Sequence, residues 1–462
     1  MTDLGASNDA LQAEVTELLT LGQSLVEFAP DLAPILAGWR GRLDEGWNAG
    51  GPPFALELQL EWSAQALRRH WLQFSAIAPS AAYRSPTEDQ QKGMVKDPRL
   101  EAFGYERDLH PDRLEKRCAT FFPDPPPPWH AQHLLFSSGQ AAMTVALLLL
   151  QQRLRPHRFT VAHLGKYFET RGLLESLPAV VRILNPAHAL DANCLIVEPV
   201  ACDGHFARVD LAELAARLAG GPGRTRAVIV DSTLVGRGDG MNQLLLQPRT
   251  APPPIIMRVC SGLKLFQQGL EIANVGVLTW FERNDSQDRS KSAVEALRVL
   301  RTLTGGGLRS ADALALEAPW IFDHEWVARY ERAIFAHNAA LAAAIHDGGP
   351  LFEPSTNSAL LGADAPYCVF RLLDPSSESY RALDDRIVAE AKRRNVNLDK
   401  GGSFGFRGHR FEIVRPDSGE QPFLRIAMGR RGGWSNDGVI DLMASIASGH
   451  GQAYQSTGAD EP

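Results

Sequence analysis

Short apolar runs that alternate with helical stretches between residues 134 and 280 constrain the fold of this chain more than any other feature. The runs are five or six residues long and rich in β-branched side chains, which is typical of buried strands. Strands separated by helices, such as the helix predicted over Leu211–Leu218, form a mostly parallel sheet that is covered on both faces. The predicted strands are Phe159–Leu164, Val180–Leu184, Cys194–Glu198, Ala227–Asp231, Ile255–Val259 and Val275–Trp280.

Polar residues stand at the ends of several of these strands. In such sheets, ligands bind beyond the carboxyl ends of the strands. Lys264 follows the strand Ile255–Val259, and a lysine at the edge of a sheet loses its proton more readily than a solvated one. The alternative is a surface lysine at the start of a loop. The residues predicted to meet at this edge are Ser138, Gly139, Tyr167, Glu198, Asp231 and Lys264.

The segment Leu134–Met143 (LLFSSGQAAM) predicts a strand, a tight turn and a helix. Its small residues would let the backbone approach a ligand closely. The N–H groups at the start of the helix favour an anion. Taken alone, this stretch fits a phosphate site and an ordinary strand-to-helix turn equally well.

The composition argues against several classes of protein. A net charge of -7 over 462 residues gives no reason to expect a nucleic acid as a partner. The five cysteines have no metal-ligand spacing, and their odd number and wide separation fit a reducing compartment. The first residues do not resemble a signal peptide, and the longest apolar stretch, Ala141–Leu150, is too short to cross a bilayer. We therefore expect a cytoplasmic protein with no membrane partner.

The chain divides into three predicted regions. Helical periodicity from Leu11 to Phe74 indicates N-terminal helices that pack on the rest of the chain or contact a partner. Strand candidates at Cys368–Leu372 and Phe423–Met428, with a helix between them, indicate a small α+β domain. The regions are a helical N-terminal extension at 1–115, a large domain at 116–315 and a C-terminal small domain at 316–462.

A phosphate turn, a carboxylate, an aromatic ring and a lysine at one sheet edge together suit pyridoxal 5'-phosphate. Lys264 would form a Schiff base with the cofactor. Asp231 would keep the pyridine nitrogen protonated, so that the ring withdraws electrons. Tyr167 would stack on the ring, and backbone N–H groups and hydroxyls would bind the phosphate.

Seven short motifs, in the same order, resemble the Cys/Met-metabolism family of pyridoxal-phosphate enzymes, which includes cystathionine γ-synthase, cystathionine γ-lyase and methionine γ-lyase. The resemblance extends from about Tyr105 to Ile446. It implies the fold type I α/β architecture, in which a mostly parallel seven-stranded sheet forms the large domain and an α+β domain follows it. The motifs are Tyr105–Glu115 (YERDLHPDRLE), Ser137–Ala142 (SSGQAA), Tyr167–Thr170 (YFET), Asp231–Thr233 (DST), Ser261–Lys264 (SGLK), Ser403–Gly405 (SFG) and Leu424–Ile426 (LRI).

The resemblance implies a role for each matching residue. Lys264 and Tyr167 are the implied catalytic residues, and Ser403 and Arg425 are the implied ligands of the substrate carboxylate. Tyr105 and Arg107 would reach into the active site of a neighbouring subunit, which implies a homodimer or homotetramer and makes region 1–115 an intersubunit arm. The implied cofactor ligands are Tyr105, Arg107, Ser138, Gly139, Gln140, Tyr167, Asp231, Thr233, Ser261 and Lys264.

The sequence also departs from the family pattern. Leu263 stands where the family has a threonine that contacts the phosphate, and Cys202 stands where it has an asparagine that contacts the cofactor. The segment Phe406–Arg410 carries basic groups where the family has a glutamate that helps to select the substrate. If Arg407, His409 or Arg410 faces the cleft, an anionic substrate or second substrate is favoured. If they do not, they are solvated loop residues.

The resemblance implies γ-replacement or γ-elimination on an amino acid with a leaving group at Cγ, homoserine-derived or sulfur-containing, through a vinylglycine-type intermediate. The altered substrate segment and the added N-terminal helices favour a specialised substrate. β-Elimination and aminotransfer on the same scaffold stay open, as does a cofactor-binding protein without turnover. A Rossmann dehydrogenase is disfavoured because no G-x-G-x-x-G follows a strand.

Overall fold

The computed structural model of the chain contains two β-sheets and a layer of helices at the N-terminus. Within the residues it describes, no helix is both long and apolar enough to cross a membrane. The described residues are 4–48, 52–77, 109–155, 158–165, 167–177, 181–201, 203–204, 208–220, 225–236, 240–246, 255–283, 287–345, 348–353, 365–416 and 420–449.

The N-terminal helices pack on the body of the molecule through apolar faces. Buried side chains such as Leu18 and Leu67 belong to one central core together with Phe266, which lies just beyond Lys264. Trp71 is fully buried, and its Nε1 donates a hydrogen bond to the backbone oxygen of Ala315 at 2.8 Å. The predicted helical periodicity of the N-terminal region is confirmed, and burial of the apolar stripes holds its helices in place. The helices are α1 (Leu4–Gln23), α2 (Leu32–Asn48) and α3 (Pro53–Ile77), followed by α4 (Asp112–Phe121).

The larger sheet contains every strand that the sequence predicts between residues 159 and 280. Its strands are β1 (Trp129–Phe136), β2 (Phe159–Leu164), β3 (Val181–Leu184), β4 (Cys194–Val197), β5 (Ala227–Asp231), β6 (Ile255–Ser261) and β7 (Gly276–Arg283). They lie in the order β1-β7-β6-β5-β4-β2-β3. Strands β3, β2, β4, β5 and β6 are parallel, whereas β7 is antiparallel to both of its neighbours. The predicted mostly parallel sheet is therefore confirmed.

Helices cover both faces of this sheet. The helices are α5 (Gly139–Leu154), α6 (Phe168–Glu175), α7 (Leu211–Gly220), α8 (Met241–Leu246), α9 (Gln287–Thr304) and α10 (Ser310–Ala315). Ile229 of β5 packs in the same core as α5 and α9, whereas its neighbours Val228 and Val230 pack in the core that contains α7 and α8. Because both faces of the strands are buried, successive strand residues are apolar, which is why these strands read as short apolar runs.

The smaller sheet forms the predicted α+β unit. Its strands, in the order β8-β11-β10-β9, are β8 (Cys368–Phe370), β9 (Leu398–Lys400), β10 (His409–Val414) and β11 (Phe423–Ala427). One face is covered by α11 (His324–Ala344), α12 (Ser377–Arg394) and α13 (Trp434–Ala447). The sequence analysis did not predict β9 or β10, and β10 begins within the substrate segment at His409. The division into regions 1–115, 116–315 and 316–462 stays a prediction.

Five charged residues hold the N-terminal helices against the small domain, and we call them the N-terminal clamp. Glu14 is fully buried; its Oε1 lies 3.1 Å from Arg407 Nε and its Oε2 lies 3.5 Å from Arg431 Nε. Glu17 pairs with Arg407 at 2.9 Å and with Arg430 at 2.6 Å. Burial acts to raise the pKa of Glu14, but the charges of the three arginines outweigh it and leave this pKa below its usual value.

Helix α3 contributes further polar contacts to the same interface. Glu61 lies 3.2 Å from Arg431 Nη2. Buried Glu57 accepts hydrogen bonds from the backbone N–H of Ser435 at 2.8 Å and from Asn397 Nδ2 at 2.9 Å. The polar side chains that α1 and α3 direct inward therefore meet donors of the small domain.

We expect Glu14→Gln to destabilise the protein, because it removes the carboxylate from between two buried guanidinium groups. Breaking a buried ion pair costs about 3 kcal/mol, which for a chain of this length lowers the melting temperature by roughly 3 °C. Hydrogen exchange in α1 should become faster at the same time. Calorimetry and exchange mass spectrometry measure both effects. The matched control is Asp9→Asn, an exposed position on the same helix, and equal melting of the two variants would contradict the buried role of Glu14.

Candidate active site

The ends of β5 and β6 and the start of α5 bring predicted cofactor ligands together. Asp231 Oδ1 accepts a hydrogen bond from the backbone N–H of Thr233 at 3.0 Å, and Thr233 Oγ1 accepts one from the N–H of Ser261 at 2.9 Å. A Cβ atom added at Gly139 would lie 3.5 Å from the backbone nitrogen of Ser261. Because β5 and β6 are adjacent parallel strands, their polar carboxyl ends share one edge of the sheet.

The turn between β1 and α5 presents backbone donors at this edge. Ser138 is the N-cap of the 16-residue helix α5, and its Oγ accepts a hydrogen bond from the N–H of Ala141 at 3.0 Å. A side chain at Gly276 would overlap with the backbone of Ser138, so this glycine lets β7 approach the turn. Gln140 lies in the first turn of α5, and its Nε2 is 3.4 Å from Thr170 Oγ1. The start of a helix of this length favours an anion.

Lys264 extends from the loop after β6 to the small domain. Its Nζ donates a hydrogen bond to Ser403 Oγ at 2.6 Å. Ser403 has a φ of +76°, an uncommon backbone conformation for a residue with a side chain. Gly405 has a φ of +81°, and a Cβ atom there would overlap with the backbone of Lys264. The two segments can therefore approach this closely only with glycine at 405.

The environment of Lys264 lowers the pKa of its amine. Burial lowers the pKa of Lys264 below its usual value and is the largest influence on it. The negative charges of Glu271 and Glu169 act against this shift. The positive charges of Arg425 and Arg410 act with it. A lysine with a lowered pKa supplies the uncharged amine that nucleophilic and base chemistry need.

Glu198 holds the segment that carries Tyr167. Its carboxylate accepts the backbone N–H of Tyr167 at 3.1 and 3.2 Å, one distance to each oxygen. Its Oε1 also lies 2.7 Å from His163 Nε2. A side chain at Gly165 would overlap with the Glu198 carboxylate. This arrangement fixes the start of α6, from which the ring of Tyr167 projects.

Asp231 carries a perturbed carboxylate. Its pKa is raised to about 6. Burial is the largest cause and the negative charge of Glu198 adds to it, whereas the hydrogen bonds of Thr233 and the charge of His163 lower it. A protonated ring nitrogen placed beside Asp231 would stabilise the ionised carboxylate.

The predicted substrate ligands fall into two groups. Ser403 and Arg425 lie close to Lys264, through the hydrogen bond of Ser403 and through the charge of Arg425. The charge of Arg410 also helps to lower the pKa of Lys264. The Cζ atom of Arg410 lies 3.4 Å from the centre of the Phe406 ring. Arg407 is buried in the N-terminal clamp. Burial acts to lower the pKa of its guanidinium, but the charges of its carboxylate partners outweigh burial and leave this pKa above its usual value. Its position does not favour a role in substrate binding, so an anionic substrate now depends on Arg410.

Two residues of the site escaped the sequence analysis. His163 pairs with Glu198. The only sign of it in the sequence is that a polar residue stands near the end of an apolar strand. Glu412 forms an ion pair with Arg425 across the smaller sheet, within a strand that was not predicted. The predicted residues Tyr105, Arg107 and Cys202 lie outside the described residues.

The residues at this edge fit pyridoxal phosphate. The cofactor phosphate would meet the N–H groups at the start of α5, with Ser138 and Ser261 beside it. The amine of Lys264 suits the cofactor aldehyde because its pKa is lowered. Asp231 suits the ring nitrogen, because a cation there would offset the cost of its buried charge. The phosphate, the aldehyde and the ring nitrogen of the cofactor therefore each have a matching group.

Solved structures of similar fold exist, although no family model matches the sequence and no curated protein matches it either. An apo methionine gamma lyase from Micromonospora echinospora is 18% identical with a TM-score of 0.53, covering 77% of this chain and 90% of its own. A cystathionine gamma-lyase from yeast is 16% identical, with the same TM-score and coverage. A cystathionine gamma synthase from Xanthomonas oryzae, in complex with aminoacrylate and cysteine, is 15% identical with a TM-score of 0.53, covering 77% of this chain and 92% of its own.

The likeness is one of fold, because the identities are low. It confirms the predicted architecture, in which a large, mostly parallel sheet is followed by a smaller α+β unit. The matched structures are covered almost completely by this chain, whereas about a quarter of this chain has no counterpart in them.

We expect Asp231→Asn to stabilise the cofactor-free protein at neutral pH. A carboxyl whose pKa rises from 3.8 to about 6 on folding destabilises the folded state by an amount that grows between about pH 4 and pH 6 and is constant above that range; the effect disappears only well below pH 3.8, where both states are protonated. The variant should therefore melt roughly 3 °C higher than the wild type at pH 7.5, a gain of about 3 kcal/mol. Calorimetry between pH 4 and 8 measures the difference, which should shrink as the pH falls. A difference that is constant with pH would contradict the buried charge of Asp231.

Proposed function

We propose that this chain is a pyridoxal-phosphate enzyme that catalyses γ-elimination or γ-replacement on an amino acid with a leaving group at Cγ. The observation that carries the proposal is the position of Lys264. Its amine has a lowered pKa, lies 2.6 Å from Ser403 Oγ, and stands at the sheet edge that carries Asp231 and the start of α5. A pathway-specific substrate, homoserine-derived or sulfur-containing, is part of the proposal.

Lys264 is the proposed proton carrier. When bound, the cofactor supplies an electron sink for the bond that breaks at Cα. The neutral form of Lys264 Nζ can take the α-proton and return a proton at a neighbouring carbon, and the lowered pKa makes this form easier to reach than in a solvated lysine. Ser403 Oγ accepts the Nζ hydrogen bond and so orients the amine before the proton moves.

Arg425 and Tyr167 would position the substrate. The guanidinium of Arg425 matches a carboxylate in charge and in shape. Tyr167 lies at the start of α6, where Glu198 fixes its backbone, so its ring can pack against the cofactor and its phenol can give a proton to the leaving group. These roles explain why several polar side chains converge on one edge.

The solved structures of similar fold support this choice of reaction. They are gamma-lyases and a gamma synthase, and one of them is a complex with aminoacrylate and cysteine. We extend the proposal to a homodimer or homotetramer, in which Tyr105 and Arg107 complete the site of a neighbouring subunit. β-Elimination and aminotransfer use the same edge, so the products decide between them.

We expect Lys264→Ala to lose both the covalent attachment of the cofactor and the activity. Purified wild-type protein mixed with pyridoxal phosphate should develop a visible absorbance band, and the variant should not. Turnover should fall by at least about a thousandfold, since one residue serves as both attachment point and base. Lys400→Ala is the matched control, because Lys400 is an exposed lysine of β9 paired with Asp384. A Lys264→Ala variant that keeps the absorbance band would contradict the proposed function.

We expect O-acyl, O-phospho or S-substituted homoserines to release a four-carbon 2-oxo acid and ammonia, or to exchange their Cγ group for an added thiol. Chromatography and mass spectrometry of the products measure this. Pyruvate from cysteine or cystathionine, without the four-carbon acid, would indicate β-elimination instead. Formation of pyridoxamine phosphate would indicate aminotransfer. An absorbance band that none of these amino acids shifts would indicate a cofactor-binding protein without turnover.

A further inference from the structure

A glutamate lies directly opposite Arg425 in the smaller sheet. Glu412 of β10 and Arg425 of β11 are register partners, and their side chains form an ion pair. The adjacent pair, Phe411 and Ile426, is buried in the core of the small domain. Because successive side chains of a strand point to opposite faces, Glu412 and Arg425 lie on the face turned away from that core.

The position of Glu412 depends on a glycine beside the candidate catalytic residues. A Cβ atom at Gly402 would lie 2.7 Å from Glu412 Oε2, which is closer than such atoms approach, and 3.7 Å from Arg425 Nη2. Gly402 directly precedes Ser403, whose hydroxyl accepts the hydrogen bond from Lys264. The ion pair therefore borders the segment that orients the lysine.

Two aromatic rings connect the surroundings of Arg425 with those of Lys264. Arg425 Cζ lies 5.2 Å from the centre of the Tyr367 ring, and the centres of the Tyr367 and Phe404 rings are 5.7 Å apart. Lys264 Nζ lies 6.0 Å from the centre of the Phe404 ring. Glu412, Arg425 and Lys264 thus belong to one continuous cluster around Tyr367 and Phe404.

We propose that Glu412 determines specificity by occupying Arg425 until a substrate carboxylate displaces it. The inference rests on the proposed role of Arg425 in the reaction. The side chains of Arg425 and Glu412 are only 14% and 25% exposed, so solvent screens their attraction less than that of a surface pair. A ligand carboxylate at Arg425 therefore has to replace an internal carboxylate of the same charge.

The consequence is discrimination between amino acids and simple acids. A simple carboxylate that binds Arg425 replaces the ion pair with Glu412 by another ion pair of the same kind, so the net gain in binding free energy is small. An amino acid also attaches through its amino group, and this second attachment offsets the loss of the Glu412 pair. Glu412 would thus keep Arg425 from binding 2-oxo acids and other small anions, including a product of the proposed reaction.

Butyrate is a suitable probe, because it has the carboxylate and lacks the amino group. We expect the cofactor-loaded Glu412→Gln and Glu412→Ala variants to bind butyrate roughly tenfold more tightly than the loaded wild type, in calorimetric titrations at constant ionic strength. The gain should disappear when Arg425→Gln is added. Glu390→Gln is the matched control, since Glu390 pairs with Arg393 and Arg394 on the outer helix α12. Thermal melts confirm that each variant is folded.

Butyrate affinity that is unchanged in both Glu412 variants would overturn the inference. A gain that survives Arg425→Gln would also overturn it, because the carboxylate would then bind elsewhere. Neither result affects the absorbance band of the cofactor attached to Lys264. The proposed role of Glu412 can therefore be refuted without refuting the proposed function. A tenfold gain without any turnover of amino acids supports control of Arg425 by Glu412 and removes the proposed reaction.

Discussion

The hydrogen bond between Lys264 and Ser403 is the contact on which the geometry of the candidate site depends. It joins the edge of the larger sheet to the loop before β10 of the smaller sheet, over 2.6 Å. Gly405 permits the close approach of the two segments, and Ser403 adopts a left-handed backbone there. Since the hydroxyl is neutral, the contact orients Lys264 without the charge attraction of an ion pair.

The part of the site that lies on the larger sheet could be predicted from the sequence, for a simple physical reason. Parallel strands that are buried on both faces must be apolar throughout, so the polar residue at the end of each one stands out. Asp231 and Ser261 end β5 and β6, and the structure places them within a chain of short hydrogen bonds through Thr233. Their roles toward the cofactor stay predictions until binding is measured.

The ion pairs of the small domain could not be predicted, because they depend on pairings that one sequence does not reveal. In β10, Arg410 and Glu412 alternate with apolar residues, and only the first two residues of this strand belong to the predicted substrate segment Phe406–Arg410. Whether an arginine is available to a ligand depends on its distant partners. Arg407 is neutralised by α1 and Arg425 by the neighbouring strand, and neither partner is close in sequence.

The N-terminal clamp also has a consequence for the synthesis of the chain. Glu14 and Arg407 are 393 residues apart, and Glu17 and Arg430 are 413 apart. At a translation rate of ~5–20 residues per second, α1 leaves the ribosome about 20 to 80 s before the arginines that it binds. During that interval its inward-facing carboxylates lack these arginine partners. Helix α1 therefore completes its ion pairs with the small domain only when the last strands of that domain have been made.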